Sequence, residues 1–314
     1  NIPPHNLNEI VNPTIYRIDN PNCSLDELMN FVKGPDFPTG GIVEGLDGIK
    51  QAYETGRGKI IVKCRYTIEE DKSTPQIVIT EIPFEVNKSL MVKKIDEIRI
   101  DKKIDGIAEV RDESAADVRV VIELKKNANI DLIVNYLLKN TDMQISYNFN
   151  VVSIVNRRPK LLGLAQALDA FIAHQKEVVK RRTEFDLKHA KARHHIVEGL
   201  IKCISILDEV IRVIRASKNK ADAKDNLVKE FEFTEAQAEA IVTLQLYRLT
   251  NTDVVALENE KADLEKIIKG LTAILGSEEV LKSVMKKDLK DVNDNYETPR
   301  LTDIKDEITE IKID

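Results

Sequence analysis

A chain of 314 residues with 42% hydrophobic residues is long enough for about two domains and apolar enough to build packed cores, which excludes a disordered protein. Its formal net charge of -6 argues against nonspecific wrapping of nucleic acid by the whole surface, because such binding depends on clustered Lys and Arg. Any contact with nucleic acid therefore needs a local basic patch.

The cysteines and the ends of the sequence point to a cytoplasmic protein. Cys23, Cys64 and Cys203 are far apart and form no CxxC pair, so we interpret them as reduced structural thiols and predict no disulfide or zinc site. No apolar run reaches the roughly 20 residues of a membrane helix, and no signal-peptide pattern opens the sequence. The start at Asn1, without Met, suggests a piece of a longer polypeptide.

Pro and Gly punctuate residues 1–58, which predicts short elements joined by loops. One helix is expected from Ser24 to about Val32, with Ser24 as the N-cap and Glu27 completing a capping box. A second helix is expected from about Asp47 to Thr55.

The stretch Thr55-Gly-Arg-Gly-Lys59 has two interpretations of equal weight. Its glycines could expose backbone N–H groups beside Arg57 and Lys59 and so cradle a phosphate. Alternatively, Gly56 simply ends the preceding helix and leads into a strand. The spacing is not that of a P-loop.

Apolar and polar residues alternate from Lys59 to Glu69, which predicts one half-buried strand with Tyr66 on its apolar face, beside Ile60 and Val62. Residues 76–82 repeat the alternation and close a hairpin. The order of the elements that follow predicts a mixed α+β domain over residues 1–162. Those elements are helices at about 88–100 and 130–138 and strands at about 106–110, 119–125 and 144–154.

Two local features of this domain suggest contacts with phosphate without requiring them. Arg157 and Arg158, next to Lys160, are interpreted as an exposed hairpin turn that could also contact phosphate, since such contacts need clustered cations. His5 follows two prolines in a loop and could either cap that loop or contact DNA.

After Gly163 the sequence predicts a long helical arm over residues 163–206. A heptad pattern places Phe171, Val178 and Phe185 at its buried seam. A helix of about 45 residues would extend roughly 65 to 70 Å, beyond the diameter of one small domain. Its basic residues are interpreted as solvated faces.

Four of the five histidines lie in this arm. His174 and His189 are too far apart to share a metal ion, and the adjacent His194 and His195 cannot share one helix face. We therefore expect solvated or seam positions and no metal site.

Residues 207–252 predict a compact helical tip, with a capping box at Thr234 and Gln237. Its last helix is apolar almost all round and needs cover, which a second copy of the tip would supply. Helices over residues 253–296 are expected to return antiparallel to the arm, and residues 297–314 to return as a tail toward the first domain. The predicted dimer contacts are Ile241, Val242, Leu244, Leu246 and Leu249.

Motifs for hydrolytic, calcium-binding or nucleotide-binding chemistry are absent from the sequence. It contains no H-E-x-x-H, EF-hand loop, Walker A or G-x-S-x-G element. Most hydrolases would be expected to show a metal-binding or nucleophile motif of this kind, so the sequence offers no such candidate.

Six strings along the chain are distinctive: Asn1 to Leu7, Gly34 to Thr39, Ala52 to Lys59, Glu81 to Lys88, Arg111 to Ser114 and Glu177 to Phe185. These strings resemble the A subunits of bacterial type IIA topoisomerases, DNA gyrase and topoisomerase IV. The string from Leu244 to Asp253 looks more like topoisomerase IV of Gram-positive bacteria than like gyrase.

The resemblance implies a tower domain that flanks double-stranded DNA, a coiled-coil arm, and a tip that pairs with its twin as the exit gate. It implies a homodimer that joins the topoisomerase IV B subunit in an A2B2 heterotetramer, with ATP and Mg²⁺ used through the B subunit and no cofactor in this chain. The whole enzyme would pass one duplex through a break in another. The candidate DNA contacts are Arg57, Lys59, Arg157 and Arg158.

Arg65-Tyr66-Thr67 reads like the string that holds the family's nucleophile, but we interpret it as a decoy. Tyr66 is expected to be packed on its strand, and the family's nucleophile lies in a winged-helix domain ahead of the string at Asn1. The chain should therefore bind or dimerise but not cleave DNA. The alternative is a noncatalytic coiled-coil scaffold whose basic arm docks an acidic protein.

Overall fold

A computed structural model of the chain describes residues 1–70, 73–244 and 251–313. They form two compact units. Unit 1 comprises residues 1–173 and 288–314, and unit 2 comprises residues 174–287. The finer division of the chain after residues 162, 206, 252 and 296 stays a prediction.

Unit 1 opens with a helix that the sequence-based prediction of short elements missed. Helix α1 (Leu7–Asp19) is capped by the side chain of Asn6, which accepts hydrogen bonds from two backbone N–H groups of the first turn. It continues through Pro13, because its buried side chains hold it against the core. Helix α2 (Leu25–Met29) begins with the predicted capping box of Ser24 and Glu27, which is confirmed.

The first sheet of unit 1 consists of four strands. They are β1 (Ile42–Glu44), β2 (Arg57–Lys63), β7 (Gln144–Asn150) and β10 (Asp303–Lys305), in the order β10-β1-β2-β7. Helix α3 (Leu46–Thr55) packs on strand β2, and the core below the sheet includes Phe37, Ile49, Ile60 and Tyr147. The predicted end of α3 at Gly56 is confirmed.

The second sheet also has four strands, and its core is buried under two helices. The elements are β3 (Arg65–Glu69), β4 (Gln76–Glu81), α4 (Lys88–Ile100), β5 (Ile107–Asp112), β6 (Val120–Leu124) and α5 (Ile130–Asn140). The strand order is β3-β4-β6-β5. The predicted elements of this region are confirmed with shifts of one or two residues at most ends.

The prediction of one strand from Lys59 to Glu69 was wrong. The backbone leaves the first sheet at Cys64, and β3 joins the second sheet instead. The pairing of β3 with β4 also shifts by one residue between Arg65 and Tyr66.

Strands β8 (Val152–Val155) and β9 (Arg158–Leu161) form a separate two-stranded hairpin. Its turn residues Asn156 and Arg157 both have positive φ, 51° and 64°, as a tight two-residue turn requires. The hairpin turn predicted at Arg157 and Arg158 is confirmed.

Helix α6 (Leu164–Ser205) has 42 residues, close to the predicted length of the arm. In unit 2 it runs antiparallel to helices α10 (Asn251–Gly276) and α11 (Glu278–Tyr296). Ion pairs mark the register: Lys176 with Glu278 at 2.8 Å, and Arg193 with Glu260 at 2.6 Å.

The predicted seam was wrong over the middle of the arm, from Phe171 to Phe185, whereas the heptad positions Leu168 and Cys203 are buried. Phe171, Val178 and Phe185 are 42%, 38% and 62% exposed. The buried positions are instead Val179, Thr183, Ala190 and Val197. A pattern of hydrophobic residues does not identify Thr183 as a seam position, because threonine is polar. Its hydroxyl can be buried because it donates a hydrogen bond to the carbonyl of Val179.

Between α6 and residue 244, the structure describes three short helices around their own core. They are α7 (Leu207–Ala216), α8 (Lys220–Phe231) and α9 (Glu235–Val242). The capping box predicted at Thr234 and Gln237 is confirmed. The core includes Leu200, Val210, Leu227 and Ile241. The chain is thus a mixed α+β domain followed by a long helix and a helical region, as predicted.

Candidate functional site

The outer face of strands β2 and β7 carries cations and amides. Because paired residues of antiparallel strands share a face, Arg57 lies beside Asn150 and Lys59 beside Asn148. All four side chains are exposed, whereas the alternate residues Ile60 and Tyr147 face the core. These four residues form a positively charged strip of cations and amides, while farther along β2 Lys63 is paired with Glu44.

The glycines around Arg57 serve the packing of α3 and not a phosphate cradle. Gly56 has φ +83° and donates its N–H to the carbonyl of Ala52, so it caps the helix. A Cβ on Gly58 would collide with the carbonyl oxygen of Gly48, which lies in α3. The helix-cap interpretation of this stretch is therefore the right one.

The three arginines that the sequence analysis selected differ from the other arginines of unit 1. Each of the others forms an ion pair with a carboxylate: Arg17, Arg65, Arg99, Arg111, Arg119 and Arg300. Among the residues that the structure describes, Arg57, Arg157 and Arg158 have no such pair. Their guanidinium groups are exposed and available to an external anion.

The β8–β9 hairpin adds to this group of cations. Lys160 pairs with Ser153 and Arg158 with Val155, so the two cations share one face of the hairpin. The hairpin adjoins the strip, because Val151 donates its N–H to the carbonyl of Gly56, directly before Arg57. We call Arg57, Lys59, Arg157, Arg158 and Lys160 the basic platform.

Tyr66 is not packed as the sequence analysis expected. Its exposed fraction is 36%, because β3 is the edge strand of the second sheet, although its pairing with Ile79 keeps it on the same face as that core residue. Partial burial, with the nearby Cys64 and Asp131, raises the pKa of its phenol. Arg65 is held by Glu81 and Asp303 at 3.0 and 2.8 Å.

The histidines take structural positions. His5 is partly buried, and its Nε2 lies 2.7 Å from the hydroxyl of Tyr53. His194 lies 3.1 Å from Glu265, while His195 lies 2.7 Å from the hydroxyl of Thr234, so the two neighbours do face different partners. Within residues 1–70, 73–244 and 251–313 no group of acidic, His or Cys side chains is placed to hold a metal ion.

The cysteines behave as predicted in the described part of the chain. Cys23, Cys64 and Cys203 are free thiols. Burial raises the pKa of Cys64 to about 12 and that of Cys203 to about 11, so both are unreactive at neutral pH.

The predicted dimer contacts fall partly in the described region. Ile241 is 5% exposed and belongs to the core of unit 2, and Val242 and Leu244 are half-buried against that core. Leu246 and Leu249 lie outside the described residues.

Comparison with known proteins decides the family. A family model for the A subunit of DNA gyrase/topoisomerase IV matches residues 1–290. The chain belongs to this family. The A subunit of DNA topoisomerase 4 from Staphylococcus epidermidis is 57% identical over 315 residues, and that from Bacillus subtilis is 58% identical over 314 residues. The same protein of Streptococcus pneumoniae is 55% identical.

The family match covers one part of a longer protein. The alignments cover 99% to 100% of the chain but only 39% of the first two relatives and 38% of the third. None of the helices described here is long and apolar enough to cross a membrane.

Sequence reasoning missed some members of the site. Arg57, Lys59, Arg157 and Arg158 stand out locally as clustered cations. Asn148 and Asn150 do not, because only the register of β7 on β2 brings them beside the cations. The polar residues at alternate positions of β7 were the one signal in the sequence that could have found them.

Proposed function

We propose that this chain is the tower, coiled-coil arm and exit-gate part of the DNA breakage–reunion subunit of a topoisomerase IV. The whole enzyme would be a cytoplasmic A2B2 assembly that passes one duplex through a transient break in another. The B subunit would use the ATP and Mg²⁺. The family membership and the relatives, named as the A subunit of topoisomerase 4, support this assignment.

The basic platform is the observation that carries a role in DNA binding. Its cations have no carboxylate partner among the described residues, whereas the remaining arginines of unit 1 are neutralised by ion pairs. Exposed cations flanked by amides bind phosphate and sugar without reading bases. We infer that the platform supports double-stranded DNA in a sequence-independent way.

The arm itself is less suited to strong DNA binding. Several of its cations are engaged within unit 2: Lys176 with Glu278, Arg181 with Glu177, and Arg193 with Glu260. This pairing lowers the net positive charge of the arm. A duplex that passes along the arm would therefore be bound weakly and could dissociate.

The chain is proposed to bind DNA without cleaving it. Tyr66 has a raised pKa, and its neighbour Arg65 is occupied by two carboxylates, so neither residue is prepared for attack on a phosphodiester. The nucleophile would lie in another part of the full-length protein. The tip around Ile241 to Leu249 is proposed to form the homodimer.

The salt dependence of DNA binding tests the platform. In the full-length protein, Arg57→Gln, Lys59→Gln and Arg158→Gln together should lower the slope of log affinity against log salt by about three, roughly one for each lost phosphate contact. A matched control removes three exposed lysines elsewhere in unit 1, Lys94→Gln, Lys102→Gln and Lys139→Gln, and should leave the slope nearly unchanged. Equal effects of the two triple variants would refute the platform.

Decatenation by the full-length protein together with the B subunit tests the proposed enzyme. Leu246→Asp should shift the protein from dimer to monomer in sedimentation experiments and abolish decatenation. Unchanged assembly would exclude the proposed gate contact, and no decatenation by the unaltered pair would favour the scaffold alternative.

A further inference from the structure

The β8–β9 hairpin has one face that is entirely apolar and uncovered. Cross-strand pairing places Val152 opposite Leu161 and Ile154 opposite Pro159, so all four side chains share a face. Val152, Ile154 and Leu161 are 46%, 77% and 41% exposed. The opposite face carries Ser153, Arg158 and Lys160, together with the half-buried Val155.

Such a hairpin needs a partner on its apolar face. Two-stranded hairpins are marginally stable in water unless one face packs against another element. Contiguous exposed apolar residues rimmed by polar ones are typical of an interaction surface. DNA is a poor partner for this face, because the face has no cation to meet a phosphate.

Asn1 forms a strand-like pair with Asn150, close to this hairpin. Asn1 donates from its amino group to the carbonyl of Asn150 at 3.1 Å and accepts from the N–H of Asn150 at 2.8 Å. This reciprocal pair is that of two antiparallel strands, and it occupies the edge of β7 that β2 leaves open.

The direction of this pairing leads toward the hairpin. In an antiparallel pair, a residue ahead of Asn1 lies opposite a residue after Asn150. Polypeptide that precedes Asn1 would therefore run along Val151 and Val152, toward Ile154. The curated relatives are much longer than this chain, which spans 39% of the first of them.

We propose that the segment preceding Asn1 in the full-length protein extends as a strand beside β7 and β8 and places apolar side chains on the Val152–Ile154 face. The hairpin then joins the tower to the upstream part of the polypeptide while its other face keeps Arg158 and Lys160 exposed. The inference does not depend on DNA binding by the platform.

Hydrogen–deuterium exchange of the full-length protein tests this inference. In the isolated full-length protein, the amides of residues 152–155 that are not hydrogen-bonded to β9 should exchange at least about tenfold more slowly than unstructured amides. Ile154→Asp should abolish this extra protection and lower the thermal midpoint by several degrees, about 1–2 kcal/mol. Leu90→Asp is the matched control, because Leu90 is an apolar residue of the same unit that is 62% exposed, and it should change neither quantity.

Further samples separate the other possible partners. Protection that appears only after the B subunit is added, or only with a DNA duplex, would overturn the proposal and assign the face to that partner. No protection in any sample, or equal effects of Ile154→Asp and Leu90→Asp, would also overturn it. If the platform variant and its lysine control had equal effects on the salt slope while the hairpin stayed protected, only the platform would be refuted.

Discussion

The ammonium nitrogen of Lys63 lies 3.0 Å from a carboxylate oxygen of Glu44, and the two side chains are only 11% and 2% exposed. Thr309, in the C-terminal segment, donates its backbone N–H and its hydroxyl to the same carboxylate at 2.9 and 3.1 Å. Burial alone would raise the pKa of Glu44, but the bonds from Thr309 and Lys63 outweigh it and lower that pKa. The carboxylate thus ties β1, β2 and the C-terminal segment together.

Removing only the cation of this pair should be more harmful than removing both charges. Lys63→Met should lower the free energy of unfolding by about 3 kcal/mol or more, because it leaves a buried carboxylate unpaired. Lys63→Met combined with Glu44→Leu should cost clearly less. Chemical denaturation at pH 7 measures both, and a double variant no more stable than the single one would contradict the prediction. Because the folded pKa of Glu44 is lowered, its stabilising contribution is lost as the pH falls through the ordinary carboxyl range.

His5 should make unit 1 sensitive to mild acid. Its Nδ1 lies 2.9 Å from the carbonyl of Pro3 and must donate, so its Nε2 accepts from the hydroxyl of Tyr53. Burial, assisted by the charge of Arg300, lowers the pKa of His5, although the bond to Pro3 and the carboxylates of Glu9 and Asp36 oppose that change.

The sign of the effect follows from this lowered pKa. The unfolded chain takes up a proton on His5 first, so stability is lost as the pH falls below about 6.5. His5→Asn keeps a donor for Pro3 but cannot titrate. The drop in thermal midpoint between pH 7.5 and 5.5, where ordinary carboxylates stay ionised, should therefore be smaller in the variant. An equal drop in both proteins would exclude His5 as the cause.

The corrected seam of the arm gives a matched pair of substitutions. Val179 is 1% exposed and Phe185 is 62% exposed on the same helix. Val179→Ala should destabilise unit 2 by about 2 kcal/mol, because it removes buried methyl groups and leaves a cavity. Phe185→Ala removes a larger side chain but should change stability by less than about 0.5 kcal/mol. Thermal unfolding of the two variants measures the difference, and the reverse order would restore the seam through Phe185.

Local signals predicted much of the fold. The capping boxes at Ser24 and Thr234 fixed two helix starts, and the end of α3 followed from Gly56. The failures depended on distant contacts. Apolar and polar residues continue to alternate in the sequence past Cys64, so no local pattern marks the point where the chain passes from the first sheet to the second. Lys63 reads as a solvent-facing residue until the structure places Glu44 beside it.

The same limit applies to the candidate site. Clustered cations were visible in the sequence at Arg57 and Arg158, but their lack of carboxylate partners was not. An arginine such as Arg17 looks equally available until helix α6 brings Asp169 to it at 2.9 Å. Which cations remain for an external ligand is decided by tertiary contacts.

The turn residue Arg157 should show opposite effects on stability and binding. Its φ of 64° is a left-handed conformation that costs a side-chain residue about 1 kcal/mol. Arg157→Gly should therefore leave the hairpin as stable or up to about 1 kcal/mol more stable, while DNA affinity falls severalfold at low salt. Asn156, the other turn residue, also has a left-handed φ of 51°. Asn156→Gly relieves the backbone strain there without removing a charge and should not weaken DNA binding. Equal DNA affinity of the two variants would remove Arg157 from the platform.

Replacing the phenol of Tyr66 should leave DNA cleavage unchanged. A tyrosine that attacks a phosphodiester needs a base, a lowered pKa or a nearby cation, yet the pKa of Tyr66 is raised and Arg65 is held by Glu81 and Asp303. The full-length Tyr66→Phe protein, mixed with the B subunit, should form the covalent DNA complex and decatenate at rates within about twofold of the unaltered enzyme, since a twofold change is only about 0.4 kcal/mol in the barrier. Its exposure of 36% makes the substitution mild for folding. Loss of the covalent complex, with normal dimerisation and DNA binding, would identify Tyr66 as the nucleophile.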